Sequence, residues 1–332
     1  MITDGGRLAR LPDGAPLLQV VVDTEEEFDW DRPFDRRNVA VTSIDAQSLA
    51  QTLYAPYGLR PSYVVDFPVA NSSSAAGVLK SFQDCGQCQV GAHLHPWVNP
   101  PFDETVCDFN SYPGNLPATL EASKLRMLTD TIQAAFGRRP TMYKAGRYGV
   151  GGNTAAILGQ LGYRIDLSVV PHSDFRPQFG PDFRDCPDRP YWFADGMLEI
   201  PLSRGFSGLA ARSGARRLYG MAATHWGRRL HLGGLLSKSG VLERATLTPE
   251  GVTFDEIARL VRSMRGRGHR LFTMTYHSPS LAPGHTPYVR TARDVTLFLD
   301  RIKQVLALFF EELGARPTTP EEVFVMASQS VD

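Results

Sequence analysis

The chain has little with which to staple a secreted scaffold. Its 332 residues include four cysteines, Cys85, Cys88, Cys107 and Cys186, too few for a disulfide framework. Charge of one sign is also missing. Lysine plus arginine and aspartate plus glutamate number 35 each, so no overall field recruits nucleic acid or a membrane surface, and any anionic partner has to be held by a local patch. No stretch approaches the roughly 18 consecutive apolar residues of a membrane span. Residues 1–16 are polar and glycine-rich, without the apolar core of a secretory leader, and are expected to be disordered or irregular. Free thiols and a cytoplasmic location are the matching expectations. Cys85-Gly86-Gln87-Cys88 has redox or zinc spacing, but no second pair completes a zinc ribbon.

What is present is a normal apolar core and a regular alternation. Hydrophobic residues make up 42% and charged ones 21%, enough apolar side chain for one large domain. Short runs such as Leu17-Leu18-Gln19-Val20-Val21-Val22, Pro61-Ser62-Tyr63-Val64-Val65, Gln89-Val90-Gly91-Ala92 and Thr141-Met142-Tyr143-Lys144 read as buried strands. Others begin at Tyr163, Met197 and Arg270. Helical patterns over 43–57, 74–83, 118–136, 153–161, 254–267 and 292–313 fall between them. Residues 170–190 look irregular, and 207–247 look helical with breaks. About seven strand–helix units, with no repeat and no linker, predict a single α/β domain over 17–332, a closed or nearly closed parallel barrel.

Asp23, Asp66, His93, Lys144 with Arg147, Asp166 and His277 all fall where an apolar run stops. In a parallel barrel those strand ends face one mouth, where catalytic residues collect. His93 and His95, two apart, project to the same side of an extended strand. Two imidazoles there can meet on one divalent cation at about 2.1 Å each. Asp23-Thr24-Glu25 repeats the spacing, so one carboxylate can join the histidines while the other takes a proton from water. Read alone, the crowding of Glu26, Glu27 and Asp29 also suits a solvated acidic loop. Two histidines and a carboxylate suit an Fe(II) oxygenase as well, but the strand–helix alternation argues against the β-sandwich barrel of those enzymes.

Four segments together carry a resemblance. They are Asp23-Thr24-Glu25-Glu26-Glu27-Phe28-Asp29-Trp30, Gly91-Ala92-His93-Leu94-His95-Pro96-Trp97, Lys144-Ala145-Gly146-Arg147-Tyr148-Gly149, and Tyr276-His277-Ser278-Pro279-Ser280-Leu281 with Pro283-Gly284-His285-Thr286-Pro287-Tyr288. In this order they resemble the polysaccharide deacetylase superfamily (carbohydrate esterase family four), and within it the lipopolysaccharide-biosynthesis branch. The resemblance implies a distorted (β/α)₇ barrel and metal-dependent N-deacetylation of an amino sugar. By position, Asp23 would be the general base, and Glu25, His93 and His95 the ligands of a divalent metal, zinc first, with cobalt, manganese or nickel as alternatives. His277 would be the general acid, Arg147 or Lys144 would steady the base, and Asp166 would hold the cation in place. Three positions depart from the family pattern: Glu25 replaces aspartate, the histidines are two residues apart rather than four, and Lys144 stands where arginine is common.

Trp30, Trp97, Tyr148, Lys144 and His285 are candidates for contact with the sugar. Between Arg204 and Arg244 the chain is rich in arginine, with Glu243 its one acid, a patch able to hold the phosphate or diphosphate of a nucleotide- or lipid-linked sugar. The expected partner is therefore an N-acylated amino-sugar precursor of a surface polysaccharide. A sugar N-deformylase and a non-catalytic carbohydrate-binding barrel are the rival readings. His172, His225, His231 and His269 carry no assignment.

Overall fold

A computed structural model of the chain describes residues 2–4, 6–194, 196–211, 219 and 241–330. Its strands are β1 (Arg7–Leu8), β2 (Leu17–Thr24), β3 (Ser62–Val65), β4 (Gln89–Leu94), β5 (Met142–Ala145), β6 (Ile165–Asp166), β7 (Tyr191–Phe193), β8 (Met197–Glu199), β9 (Arg204–Ser207), β10 (Glu243–Thr246), β11 (Leu271–His277) and β12 (Arg316–Pro317). Seven of them are parallel neighbours in the order β8-β6-β5-β4-β3-β2-β11. This is the distorted (β/α)₇ barrel. Among the described residues no ladder joins β8 to β11. Single backbone bonds span the gap instead: Leu202 N donates to Val169 O (3.0 Å), Leu247 N to Ser203 O (2.8 Å) and Thr275 N to Leu247 O (3.1 Å).

The strand parity sorts side chains onto two faces. Leu18, Val20, Val22, Tyr63, Val65, Ala92, Leu94 and Tyr143 face outward into the larger core. Against them pack α1 (Gln47–Tyr54), α2 (Phe67–Asn71), α3 (Ser73–Asp84), α4 (Ala118–Phe136), α5 (Thr154–Leu161), α6 (Phe254–Gly266) and α7 (Ala292–Ala307). Leu17, Val21, Val64, Met142, Ile165, Leu198 and Leu271 face inward, with Val323 and Ala327 of α8 (Pro320–Gln329) packed among them. Thus α8 closes the end where the strands begin, and the other end stays free for polar groups. The helices stop and start on local signals. Thr253, Thr291 and Thr319 form capping boxes with Glu256, Asp294 and Glu322, and losing such a cap costs about 1 kcal/mol.

Several elements differ from the sequence pattern. The segment before β2, expected to be disordered or irregular, is tied down: Ile2 is buried, Tyr191 Oη donates to Ile2 O (2.7 Å), and β1 pairs antiparallel with β7. The periodic stretch 292–313 is not one α-helix, because α7 gives way to a π-turn at Leu308–Glu312. The stretch 207–247 is bounded by strand rather than helix, since β9 and β10 pair antiparallel there. Most of the arginine-rich run, with His225 and His231, lies outside the described residues. No helix of the described residues is long and apolar enough to cross a membrane.

Candidate metal centre

Inward parity at the free end of the barrel brings Asp23, His93, Lys144, Thr275 and His277 together. The registers His277↔Asp23 and His93↔Lys144 set neighbours side by side. Lys144, fully buried, donates to both Asp23 oxygens at 2.5 and 2.7 Å and to Thr275 Oγ1 at 3.1 Å. Burial alone would raise the Asp23 pKa. The charge of Lys144 first, with that of His277, outweighs it and holds the carboxyl below its ordinary value.

Beside this pair, His93 Nε2 and His95 Nε2 lie 3.6 and 3.5 Å from Glu25 Oε2, and the two rings are 4.6 Å apart. Each imidazole is aimed by its other nitrogen. Nδ1 of His93 is 2.9 Å from the Lys144 carbonyl and must donate to it, and Nδ1 of His95 is 2.7 Å from Glu26 Oε2. Nε2 of His93 therefore presents its lone pair towards Glu25, and Nε2 of His95 does the same when ionised Glu26 accepts from Nδ1. Burial lowers both imidazole pKa values, that of His95 to about 4, so the rings are neutral near pH 7. Glu25 Oε1 is buried with no hydrogen-bond partner. Neutral imidazoles, an orphaned carboxylate oxygen and ligand atoms all within 4.8 Å of one another fit a divalent cation. Glu26, Asp66 and His95 are equally close, but their atoms are engaged. Glu26 also accepts from Trp97 Nε1 (2.7 Å), and Asp66 accepts from Glu26 N (2.6 Å) while capping α2 at Val69 N (2.8 Å). Glu26, itself held by Asp66, thus props the ligand His95.

The close histidine spacing works because His95 follows the strand in extended conformation (φ −99°). It also needs Gly146, where a Cβ would come within 2.4 Å of His95 Cδ2.

Metal uptake should release a proton. Burial, with repulsion from Glu26, raises the Glu25 pKa to about 7 despite the pull of His277 and His93. Below that pH the ligand carboxyl must lose its proton before it can bind, so affinity should fall by up to about tenfold per pH unit below 7. Calorimetry in buffers of different ionisation enthalpy measures this. Equal proton release at pH 6 and pH 8 would exclude Glu25 as the titrating ligand.

His277 sits at the rim. Its Nδ1 is 2.9 Å from Glu250 Oε2, its backbone N donates to Glu250 Oε1 (3.0 Å), and its Nε2 lies 3.8 Å from Asp23 Oδ2. Burial works against its charge, but Glu250, then Glu25 and Asp23, raise the pKa to about 10. Trp30 packs edge-on over it at 4.9 Å. Behind Trp30 opens a cleft of ≈ 450 Å³ lined by Glu27, Phe28, Asp29, His285, Thr286 and Arg290.

Other candidates from the sequence fall elsewhere. Asp166 takes outward parity between inward Ile165 and Leu167. It accepts from Ser168 Oγ (2.7 Å) beside buried Glu199, on the opposite face of the sheet from Asp23, so it cannot hold a cation at the mouth. Arg147 does not steady Asp23, because its backbone is left-handed (φ 54°) and its guanidinium packs over Tyr112 (4.2 Å) and Phe34 (5.0 Å) and donates to Ser111 Oγ. Lys144 is the partner of Asp23, buried away from any substrate surface. Trp97 is buried too, stacked on His95 at 4.3 Å rather than offered to a sugar. Tyr148, half-buried, stacks on Phe175, and His285 Nδ1 lies 3.5 Å from Glu27. Cys85 is exposed and Cys88 buried, both free. Sequence reading missed Glu250, which lies in a loop with no apolar run to mark it. Its one signal is the turn Thr248-Pro249-Glu250-Gly251.

Neither a family model nor a curated protein sequence matches the chain. Solved structures share its fold. A Mycobacterium smegmatis protein assigned to the polysaccharide deacetylases superposes with a TM-score of 0.55 at 12% identity, over 98% of this chain and 94% of that one. This chain shares that protein's fold. The PuuE allantoinase gives 0.52 at 13% identity, covering 95% and 91%. A GH57 branching enzyme from Thermococcus kodakaraensis gives 0.50 at 12% identity, covering 96% and 71%. Differently named activities on one fold leave the reaction to be argued from the site.

Proposed function

We propose that the protein is a metal-dependent hydrolase that removes the N-acetyl group of an amino sugar in a surface-polysaccharide precursor. The observation that carries this reading is a pair of oppositely tuned groups beside a candidate cation cage. Asp23 is held ionised by Lys144, and His277 is held protonated by Glu250. Titratable neighbours pushed apart in pKa mark a base and an acid. Glu25, His93 and His95 would hold the cation, with zinc first among the metals, and when bound it would supply Lewis-acid polarisation of the acyl oxygen and acidification of water.

In this reading Asp23 takes a proton from the water attacking the acyl carbon. Lys144, fixed on both Asp23 oxygens, keeps the carboxylate ionised until it does. Nε2–H of His277 donates to the departing nitrogen, since an amide nitrogen leaves well only as an amine. Glu250 fixes the His277 tautomer through Nδ1. Trp30 screens the acid from water and walls the cleft in which the sugar would lie. The precursor substrate rests on the four sequence segments and on the shared fold with a polysaccharide deacetylase.

The test is acyl release from N-acetylated and N-formylated hexosamines, read as acetate or formate. Acetate release abolished by a chelator supports the reading. Formate alone would make the protein a deformylase, and glycan binding without either product would make it a non-catalytic binder.

A further inference from the structure

β9 and β10 form a two-stranded antiparallel sheet whose two faces differ in charge. In the register Arg204↔Thr246 and Phe206↔Arg244, the two arginines share one face as diagonal neighbours. Gly205, Ala245 and Glu243 take the other face, against α6. Glu243, the one acid between the arginines in sequence, takes the opposite face and pairs with Arg259 at 3.0 Å. Both arginines are half-buried, and among the described residues neither has a carboxylate partner. Nε of Arg204 is buried without a hydrogen bond. Among the described residues Arg244 donates to the His172 carbonyl (2.7 Å), and it lies over the Tyr219 ring at 4.3 Å. Two like charges withdrawn from water with no counter-ion are costly, and a fold keeps them where a ligand supplies the missing charge.

Their place in the barrel says which ligand. Leu202, Ser203 and Leu247, which flank β9 and β10, span the gap between β8 and β11, and directly after Thr246 the Leu247 carbonyl accepts from Thr275 N. Thr275 contacts Lys144, and three residues beyond Leu247 comes Glu250, the partner of His277. Arg204 therefore stands at the rim of the mouth. The Tyr148 hydroxyl lies within electrostatic reach of Arg204, Asp23 and Glu250 alike.

We propose that Arg204 and Arg244 form an anion subsite at the mouth, and that the amino-sugar substrate carries a phosphate or carboxylate which this pair engages. The proposal rests on the deacetylase reading for its sugar, and not for its anion. Burial and the neighbouring Arg244 push the Arg204 guanidinium down to about 10, so it stays charged at neutral pH.

The experiment uses the metal-loaded protein and inorganic phosphate, with chloride at equal ionic strength as control. Phosphate should raise Tm of the wild type, and Arg204→Gln and Arg244→Gln should each weaken its apparent affinity about tenfold or more. Arg204→Lys, which keeps charge but not the fork, should fall between. Tm without phosphate should not drop in the glutamine variants, since they relieve repulsion. In turnover, preference for an N-acetylhexosamine 1-phosphate or an N-acetylhexosamine uronate over the neutral sugar should fall about 10–100-fold in the variants. The preferred acid separates phosphate from carboxylate. Phosphate affinity unchanged in the double variant would overturn the proposal, the ion then sitting on the metal or elsewhere. Arginine-dependent phosphate binding with no acyl release from any sugar would sustain the subsite and overturn the deacetylase reading alone.

Discussion

Asp23→Asn should lower kcat about 10²–10⁴-fold, the usual contribution of a positioned proton acceptor, while bound metal stays at the wild-type level. The two effects separate because Asp23 contacts Lys144 and faces His277, whereas the ligand atoms belong to Glu25, His93 and His95. The variant should also be less stable. Lys144 would lose the carboxylate it is paired with in a fully buried site, and breaking a buried pair this way costs about 3–5 kcal/mol. Adding Lys144→Met should recover most of the lost stability and none of the rate. Thermal melts, metal analysis and kcat measured together decide the matter. Loss of metal in Asp23→Asn would move Asp23 into the ligand set.

The second large effect is at His277. His277→Gln should also cost about 10²–10⁴-fold in kcat, most for substrates with a poorly leaving nitrogen. The pH profile gives a sharper test of the paired acid. Glu250 is the first of the groups that raise the His277 pKa above 6.5 to about 10, so the imidazolium form survives well above neutral pH. Glu25 contributes as well, but its pull weakens once a cation neutralises it, leaving Glu250 as the main support. A raised pKa keeps the acid protonated on the alkaline side, and activity is lost as pH climbs through that value. Glu250→Gln should therefore move the alkaline limb of kcat/KM down by a unit or more, with metal content unchanged. An unmoved limb would mean that Glu250 only anchors the loop.

Much of this was legible before the fold. Strand runs such as Leu17–Thr24 and Leu271–His277 are apolar and β-branched because both their faces are buried, and their ends mark the mouth. Asp23, His93, Lys144 and His277 do meet there. Parity, however, decides which strand ends count. Lys144 stands two residues after inward Met142 and points in. Asp166 follows inward Ile165 by one and points out, though both end an apolar run. Arg147 sits just past its strand, where a left-handed turn redirects it. Trp97 reads as a stacking platform by type, yet two residues beyond His95 it is enclosed and spends its indole N–H on Glu26. Glu250 and the β9–β10 pair were illegible for another reason. Short polar segments with little apolar periodicity are placed by what they dock on, the open seam between β8 and β11.

The central claim is that Glu25, His93 and His95 hold a cation on which amide cleavage depends. Its most direct test is stepwise metal reconstitution of chelator-stripped protein, with bound metal and acetate release measured on the same samples. Release should rise in proportion to metal up to about one ion per chain, and His93→Ala should bind none above background and release none. Full turnover by stripped protein, or full metal occupancy in His93→Ala, would contradict it.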